Sequence, residues 1–337
     1  MPYEVFQGGR RRKRRRWPQL VAVLMLLGVG LGAGLTLAPK HEPKPPAPAT
    51  PTVEAPLRIT TPPAPAPLAG GGTAPSPLSV RLDDPRDLVR LRLKHPPRSG
   101  LMFDLDTGQV LWRRDPTRVL PIASLTKMMT AVLIARHVPP NAKVRITKAA
   151  LSYKGSGVGL FRRGRRIPVR TMLYGLLLPS GNDAAIALAQ RAGHGSLKRF
   201  VAMMNGEARA MGLACTHFTS PDGFVDRGNH SCAPDLAALA RAVLREPRIA
   251  RIVRRRKAVL PFPIKGGKIY LYNHNPLLQQ GYRGVTGVKT GYTDEAGRCL
   301  VATVRRGRVR LGVVLLHSPD PGAQARKLLD RGFRLDR

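Results

Sequence analysis

The sequence predicts an α+β fold, in which helices pack on the faces of an antiparallel sheet of about five strands. Strand patterns near the start of the folded region are followed by a helical block, three further strands and a final helix. The alternating run over 100–115 turns at Asp-Thr-Gly and predicts the opening β-hairpin. The later strands are predicted within 284–318, with a turn at Gly307.

The helical block is predicted from apolar positions that recur every three or four residues. The first helix is expected over 124–138, with Ser124 as its N-cap. Residues 169–193 predict two helices separated by a break at Pro179-Ser180-Gly181. Further helices are predicted over 196–212, 233–246 and 322–333.

The N-terminal region predicts export of the chain. A basic tail (1–16) precedes the uncharged stretch QLVAVLMLLGVGLGAGLTLA, and about 20 apolar residues span a bilayer as a helix. Basic residues directly before such a span hold that end in the cytoplasm. Both a cleaved signal peptide, cut at Ala38, and a retained anchor over 17–38 fit the pattern, and the length of the run favours the anchor. We therefore expect a single-pass protein of the cytoplasmic membrane, with its folded domain on the periplasmic or extracellular side.

The region after the apolar stretch divides into a linker and one domain. Residues 39–79 are rich in Pro, Ala and Thr, a composition that cannot bury a core and favours an extended spacer. The folded domain is predicted over 80–337, a length that one domain can reach.

The three cysteines and the absence of ligand motifs limit the chemistry of this domain. Cys299 lies in an apolar run and is expected to be a small core residue. Cys215 and Cys232 could pair outside the cytoplasm, but their spacing leaves this open. No Cys/His cluster has zinc-ligand spacing and no glycine-rich phosphate loop is present, so neither a metal nor a cofactor is predicted.

The charge of the chain is strongly positive, with 57 Lys and Arg against 20 Asp and Glu. Such a balance can indicate nucleic-acid binding. However, the charge is spread thinly, the aromatic content is 5% and the chain is predicted to be exported, so no nucleic acid is predicted as a partner. The densest basic patch of the folded part, RIVRRRKAVL (251–260), is expected to be a solvated face. A loose attraction to anionic wall polymers or lipid headgroups stays open.

Three short motifs carry the predicted chemistry. Ser124 and Lys127 stand three apart on a predicted helix and share a face. A serine hydroxyl needs a neighbouring base, and a lysine can act as one only if burial or a nearby cation lowers its pKa. By itself this pair is better explained as a capping serine and a surface lysine. Two further motifs favour a catalytic pair instead. They are Ser-Gly-Asn at 180–182, in the helix break, and Lys-Thr-Gly at 289–291, in a predicted strand.

Ser-x-x-Lys, Ser-x-Asn and Lys-Thr-Gly, in this order, are the motifs of penicillin-binding proteins and class A β-lactamases. From about residue 85 to the end, the sequence resembles the D-alanyl-D-alanine carboxypeptidases, which are low-molecular-mass penicillin-binding proteins. The matching blocks are PIASLTKMMTA, LLPSGNDAAIALA, FTSPDGF, APDLAALA and a long block within 275–302. The resemblance implies a DD-peptidase/β-lactamase-like fold, removal of the terminal D-alanine from peptidoglycan stem peptides ending in D-Ala-D-Ala, and covalent inhibition by β-lactams.

The resemblance also implies a catalytic role for four residues. Ser124 would attack the carbonyl of the penultimate D-alanine and become an acyl-ester, and Lys127, as a neutral amine, would accept its proton. Ser180 would relay a proton to the leaving D-alanine nitrogen. Asn182 would orient Lys127 and the substrate amide.

Four further residues are implied to bind the substrate. The charge of Lys289 would attract the terminal carboxylate and lower the pKa of Lys127, and Thr290 would hydrogen-bond that carboxylate. Gly291 would let the substrate backbone approach the strand. Tyr292, at a position where the family often has histidine, would contribute its backbone N–H to an oxyanion hole with that of Ser124.

Three alternatives stay open. A D,D-endopeptidase would cut peptidoglycan crosslinks with the same residues. A β-lactamase would need a base that activates water, and the first glutamate after Asn182 is Glu207, on a helix that is predicted to be structural. A catalytically silent wall-binding protein, tethered to the membrane, would have no reactive serine.

Overall fold

The structure of the protein, a computed structural model, describes residues 76–84, 86–224 and 227–335. The predicted basic tail (1–16), the predicted anchor (17–38) and nearly all of the predicted linker lie outside the described residues. Within the described ranges, no helix combines the length and the apolar character that crossing a membrane requires.

The strands of the described residues form one central sheet and three two-stranded ribbons. Their bounds are β1 (Ser99–Asp104), β2 (Val110–Arg114), β3 (Leu120–Pro121), β4 (Lys143–Arg145), β5 (Arg166–Pro168), β6 (His230–Ser231), β7 (Lys257–Pro261), β8 (Lys268–Tyr272), β9 (Val285–Thr293), β10 (Gly297–Arg306) and β11 (Val309–Leu316). The central sheet is antiparallel throughout, in the order β2-β1-β11-β10-β9, and the ribbons are β3–β6, β4–β5 and β7–β8.

The helices lie mainly between β3 and β9 along the chain. A 3₁₀ turn (Ala123–Thr126) leads directly into the first of them. Their bounds are α1 (Lys127–His137), α2 (Lys148–Leu151), α3 (Val169–Leu177), α4 (Asn182–Ala192), α5 (Leu197–Ala210), α6 (Ala233–Arg245), α7 (Pro247–Val253), α8 (Pro276–Gln279) and α9 (Pro321–Gly332).

The central sheet is covered on both faces. In β1, Leu101 and Phe103 belong to the core shared with the helical block, whereas Met102 belongs to the core under α9. Because both faces are buried, the inner strands are continuous apolar runs. The predicted α+β class and the sheet of about five antiparallel strands are confirmed.

Strand β9 forms one edge of this sheet, where it pairs with β10. The 3₁₀ turn lies against this edge at Gly291. A Cβ atom on Gly291 would stand 2.9 Å from the Ile122 carbonyl oxygen and 3.2 Å from the Ser124 nitrogen. Only glycine permits so close an approach. The approach brings the Lys-Thr-Gly motif of β9 next to the Ser-x-x-Lys motif, which is distant in sequence.

Two local predictions, on the start of α1 and on the break between α3 and α4, have different outcomes. The predicted N-cap role of Ser124 is wrong, because Ser124 lies inside the 3₁₀ turn and α1 begins after Thr126 without a side-chain cap. The predicted break between α3 and α4 is confirmed. At this break Ser180 adopts the left-handed conformation, with φ of +64°. Such conformations of residues other than glycine concentrate at functional sites.

The basic side chains of 251–260 are exposed, as predicted, whereas the apolar residues between them are buried. This segment ends α7 and forms β7, which pairs with β8 in a ribbon. Alternate residues of the ribbon are buried, among them Ala258 and Ile269, and join the main core. Lys257 lies on the outer side of this ribbon, since side chains alternate along a strand, whereas Arg254, Arg255 and Arg256 precede the ribbon and are exposed.

Cys215 and Cys232 form a disulfide, with Cα atoms 5.7 Å apart. The disulfide closes the loop between α5 and β6 (the α5–β6 loop). Cys299 is buried in β10, as the sequence predicts.

Candidate active site

The side chain of Lys127 occupies the centre of a buried cluster. It projects from the first residue of α1, and its Nζ lies 2.7 Å from Ser124 Oγ in the preceding turn. It lies at the same distance, 2.7 Å, from Asn182 Oδ1 at the start of α4 and from the Asp222 carbonyl oxygen. Lys127 is fully buried. Within the described residues, its Nζ hydrogen-bonds to these three oxygen atoms.

The three partners accommodate both protonation states of Lys127, because an ammonium donates to all three oxygens and a neutral amine donates to two of them. Asn182 donates its own Nδ2–H to the Lys154 carbonyl, which fixes its Oδ1 as the atom facing Lys127. A neutral amine has two N–H groups, which the amide and carbonyl oxygens can accept, and one lone pair. The Ser124 hydroxyl is the only one of the three that can donate to this lone pair. In the neutral state, therefore, the serine proton points at the lysine nitrogen, which is the arrangement that general-base catalysis requires.

Sequence reasoning missed the Asp222 carbonyl. It belongs to the α5–β6 loop, where Gly223 has φ of +71° and a Cβ there would stand 2.0 Å from the Ala123 carbonyl oxygen. The loop is therefore in close contact with the 3₁₀ turn. Thr126 strengthens this junction, because its hydroxyl donates to Ala123 and accepts a hydrogen bond from Asn229.

Ser180 and Lys289 form a second pair. Lys289 projects from β9 and its Nζ lies 2.8 Å from Ser180 Oγ and 2.8 Å from the Thr290 carbonyl oxygen. Both side chains are buried. Within the described residues, neither side chain is hydrogen-bonded to Ser124 or Lys127, so the cluster consists of two adjoining pairs.

The remaining predicted binding residues lie along β9. Thr290 is half-buried, and its hydroxyl makes no hydrogen bond within the described part of the chain. The side chain of Tyr292 is 63% exposed, and its hydroxyl donates to Asp294. Any contribution of Tyr292 to the cluster would thus come from its backbone, and the predicted carboxylate contact of Thr290 stays a prediction.

The two lysines have lowered pKa values. Burial lowers the pKa of Lys127 to about 8, against the opposing influence of the Asp222 and Asp183 carboxylates. Burial, and after it repulsion from Lys127, holds the pKa of Lys289 well below its usual value. The sequence predicted Lys289 as the cause of the lowered pKa of Lys127, whereas burial is the main cause.

We expect the rate constant for acylation of the protein by a penicillin to rise through neutral pH, with an apparent pKa of about 8. Lys127 accepts a proton only when neutral, and its neutral fraction grows as pH rises through its pKa. Acylation rates measured between about pH 6 and 9, with thermal unfolding followed at each pH, check this. A rate that falls over this interval while the protein stays folded would contradict a lysine base.

The carboxylate considered for a β-lactamase is engaged elsewhere. Glu207 on α5 forms an ion pair with Arg136, which also pairs with Glu246. Asp183, the carboxylate at the start of α4, instead accepts hydrogen bonds from the backbone N–H groups of Val158 and Gly159. The residues described here therefore offer no counterpart to the water-activating glutamate of class A enzymes.

The cluster contains the groups that a serine acyl-transfer enzyme with a lysine base would need, a serine hydroxyl in hydrogen-bond contact with a buried amine. A family model described as D-alanyl-D-alanine carboxypeptidase matches residues 91–320. The D-alanyl-D-alanine carboxypeptidase DacF of Bacillus subtilis is 36% identical over 249 residues, which cover 72% of this chain and 63% of DacF. DacB2 of Mycobacterium tuberculosis, which has the same description, is 35% identical over 72% of this chain and 84% of its own length.

Solved structures agree with the family match. The Streptomyces K15 DD-transpeptidase superposes with a TM-score of 0.68 at 32% identity, covering 73% of this chain and 100% of that one. A D-alanyl-D-alanine carboxypeptidase from Mycobacterium tuberculosis superposes with a TM-score of 0.68 at 34% identity, covering 73% and 94%. The chain belongs to the D-alanyl-D-alanine carboxypeptidase family, peptidase family S11. This confirms the resemblance and the DD-peptidase-like fold inferred from the motifs.

Proposed function

We propose that this protein is a serine D-alanyl-D-alanine carboxypeptidase that removes the terminal D-alanine from peptidoglycan stem pentapeptides. The observation that carries the proposal is the set of three 2.7 Å contacts of Lys127 Nζ with Ser124, Asn182 and the Asp222 carbonyl. This set gives a serine nucleophile a buried base with a lowered pKa. The family supplies the substrate class.

Acylation follows from these contacts. The Ser124 oxygen forms a bond with the carbonyl carbon of the penultimate D-alanine while its proton passes to Lys127 Nζ. The C–N bond to the terminal D-alanine then breaks, and the leaving nitrogen takes up the proton that Lys127 had accepted, passed on through the hydroxyl of Ser180, so that Lys127 is neutral again. Asn182 and the Asp222 carbonyl hold the lysine nitrogen towards the serine throughout.

Lys289 provides the site for the substrate carboxylate. A carboxylate bound beside its Nζ favours the ammonium form of Lys289. That positive charge in turn opposes protonation of Lys127, so substrate binding helps to keep the base neutral. Thr290, next to Lys289 on β9, offers a free hydroxyl to the same carboxylate. The backbone N–H groups of Ser124 and Tyr292 are proposed as the oxyanion donors.

Hydrolysis of the ester by water regenerates Ser124 and releases the shortened peptide. With a β-lactam the leaving group stays attached, and the described residues offer no glutamate placed like the deacylating base of class A enzymes. We therefore propose that β-lactams act as covalent inhibitors of this protein.

A second candidate activity concerns the acceptor of the acyl group. The relative from Streptomyces K15 is named a D-alanyl-D-alanine carboxypeptidase among curated proteins and a DD-transpeptidase in its crystal structure. If an amine replaces water, the same acyl-enzyme yields transfer instead of hydrolysis. Adding an amino acid as acceptor to the carboxypeptidase assay and analysing the products separates the two. Conversion of crosslinked dimers to monomers would instead indicate a D,D-endopeptidase.

We expect the wild-type protein to be labelled covalently by a fluorescent penicillin and to release D-alanine from a soluble pentapeptide. Ser124→Ala removes the nucleophile, so both signals should fall by about 10³-fold or more. Gel fluorescence and D-alanine assays check this, and Ser152→Ala, at an exposed serine near the C-terminus of α2, is the control that should keep both signals. Absence of labelling in the folded wild type would favour a silent wall-binding protein. Rapid turnover of a cephalosporin would indicate a β-lactamase.

We also propose, from the sequence, that residues 17–38 anchor the protein in the cytoplasmic membrane with the domain over 80–337 outside. The basic cluster directly before an uncharged run of membrane-spanning length supports this. Protease treatment of intact spheroplasts, which should digest the domain, tests the orientation.

A further inference from the structure

Two long segments of the chain contain no Asp or Glu. Residues 116–182 include twelve Lys and Arg, and residues 247–293 include ten. The fold brings these segments into contact, because the ring of Phe161 packs against that of Phe262 with centroids 5.9 Å apart. Phe161 lies in the segment between β4 and β5, and Phe262 directly follows β7, so this segment lies against one end of the β7–β8 ribbon.

The outer face of the β7–β8 ribbon, called here the tyrosine face, combines aromatic and basic side chains. Val259, Tyr270 and Tyr272 are 46%, 60% and 58% exposed, although they are large and apolar. Val259 pairs with Tyr270 across the ribbon. The exposed residues of the face are Lys257, Val259, Pro261, Lys268, Tyr270 and Tyr272. Exposed apolar patches of this kind mark interaction sites.

The polar groups of this region have no partners within the described residues. The side chains of Lys257, Lys265 and Lys268 form neither an ion pair nor a hydrogen bond there, and neither do the hydroxyls of Tyr270 and Tyr272. The arginines of β4, of β5 and of the segment directly before β5 are likewise without carboxylate partners among the described residues; they are Arg145, Arg162, Arg163, Arg165 and Arg166. These charges are therefore available to an anionic partner, and the local absence of carboxylates strengthens their field.

The tyrosine face is joined directly to the active site. Strand β8 continues into Asn273, His274 and Asn275. The backbone N–H of His274 donates to the Leu178 carbonyl, 3.2 Å away and two residues before Ser180. The side chain of Asn275 donates to the Gly287 carbonyl, 3.1 Å away and two residues before Lys289. The ribbon thus extends from the junction of the two elements that carry Ser180 and Lys289.

We propose that the tyrosine face binds the peptidoglycan polymer next to the stem peptide being cleaved. The inference rests on the proposed function, because it concerns the polymer that carries that substrate. The stem peptides have free carboxylates, which complement the lysines of the face. Tyr270 and Tyr272 are two residues apart on one strand, roughly 7 Å, so their rings can pack on the apolar faces of neighbouring sugars. Their hydroxyls can hydrogen-bond the sugar hydroxyls.

The test measures binding of the full-length protein to insoluble peptidoglycan that has been freed of attached phosphate polymers. Ser124→Ala serves as the background, so that the polymer is not altered during the measurement. We expect Tyr270→Ser/Tyr272→Ser to weaken co-sedimentation by about tenfold, because exposed aromatic anchors dominate such contacts. Lys257→Glu/Lys268→Glu should weaken it similarly. The matched control is Lys327→Glu/Arg331→Glu, with the same change of charge on α9, which covers the opposite face of the sheet.

The same substitutions in the active protein separate this inference from the proposed function. Penicillin labelling and D-alanine release from a soluble pentapeptide should stay within about twofold of wild type, because the face is outside the catalytic cluster. Failure of the wild type to label would contradict the proposed function. Normal labelling together with unchanged peptidoglycan binding by the tyrosine variants would overturn the inference alone. It is also overturned if the α9 control loses as much binding, or if these residues support binding to anionic lipid vesicles or single-stranded DNA but not to peptidoglycan.

Discussion

Replacing Lys127 by arginine should abolish acylation although the positive charge is retained. Arginine stays protonated at every accessible pH and cannot accept the Ser124 proton. General-base catalysis typically contributes 10²–10⁴-fold, so we expect penicillin acylation and D-alanine release to fall by about 10³-fold. Rate constants measured at pH 8, together with thermal unfolding, check this.

The matched substitution Lys289→Arg distinguishes a lysine that must act as a base from one that needs only its positive charge. The proposed role of Lys289 needs only its charge, which arginine keeps, so a loss of about tenfold is expected from the altered shape. Both lysines are fully or almost fully buried, so the two substitutions perturb packing to a similar degree. If Lys127→Arg remained active, or if the two variants were equally impaired while folded, Lys127 would not be the base.

Replacing Gly223 by alanine should disable the enzyme without touching a catalytic side chain. A left-handed residue other than glycine costs about 1–3 kcal/mol. In addition, the new Cβ would stand 2.0 Å from the Ala123 carbonyl oxygen and 2.5 Å from Thr126 Oγ1. The α5–β6 loop must then move away, and the Asp222 carbonyl moves with it. A misplacement of about 1 Å can reduce a rate by about 10²-fold.

Gly212→Ala is the control for this prediction. Gly212 has φ of +70°, close to that of Gly223, but among the described residues beyond its chain neighbours no heavy atom lies within 4 Å of its Cβ position. The variant should lose about 1–3 kcal/mol of unfolding free energy and keep its acylation rate. Denaturant unfolding and penicillin acylation of both variants give the comparison. Equal acylation rates in the two variants would show that the position of the loop does not matter to Lys127.

The sequence predicted the parts of the site that depend on side-chain chemistry. The Ser180 break was recognisable because Pro179 and Gly181 interrupt a helical pattern, and the structure has it there. The predicted N-cap position, Ser124, lies two residues before the observed one, Thr126. A serine before an apolar periodic run resembles an N-cap whether the first turn is α-helical or 3₁₀, and the pattern does not separate the two.

The Asp222 carbonyl could not be identified, because backbone oxygens leave no residue signature. The nearest signal is Gly223, which the sequence presents only as part of the matching block Phe-Thr-Ser-Pro-Asp-Gly-Phe. What makes this glycine necessary is the approach of the 3₁₀ turn, about 100 residues earlier in the chain. Close approaches between distant segments depend on tertiary packing, and local propensity does not encode them.

The β7–β8 ribbon was missed for a different reason. Its apolar residues alternate around Lys-Gly-Gly, which favours a hairpin. The preceding Arg254-Arg255-Arg256 is a charged run, and such a run usually indicates a solvated surface. The apolar alternation is the one that describes the ribbon, whose inner residues are buried and whose outer residues are exposed.

The Cys215–Cys232 disulfide has a consequence for where the enzyme can be active. It spans 17 residues of sequence and closes the loop that holds the Asp222 carbonyl against Lys127. Losing a native disulfide typically costs about 2–5 kcal/mol. None of the strands of the central sheet lies within this loop, so under reducing conditions the geometry around the base should loosen while the sheet persists. Catalytic competence would then depend on an oxidising environment more strongly than folding does.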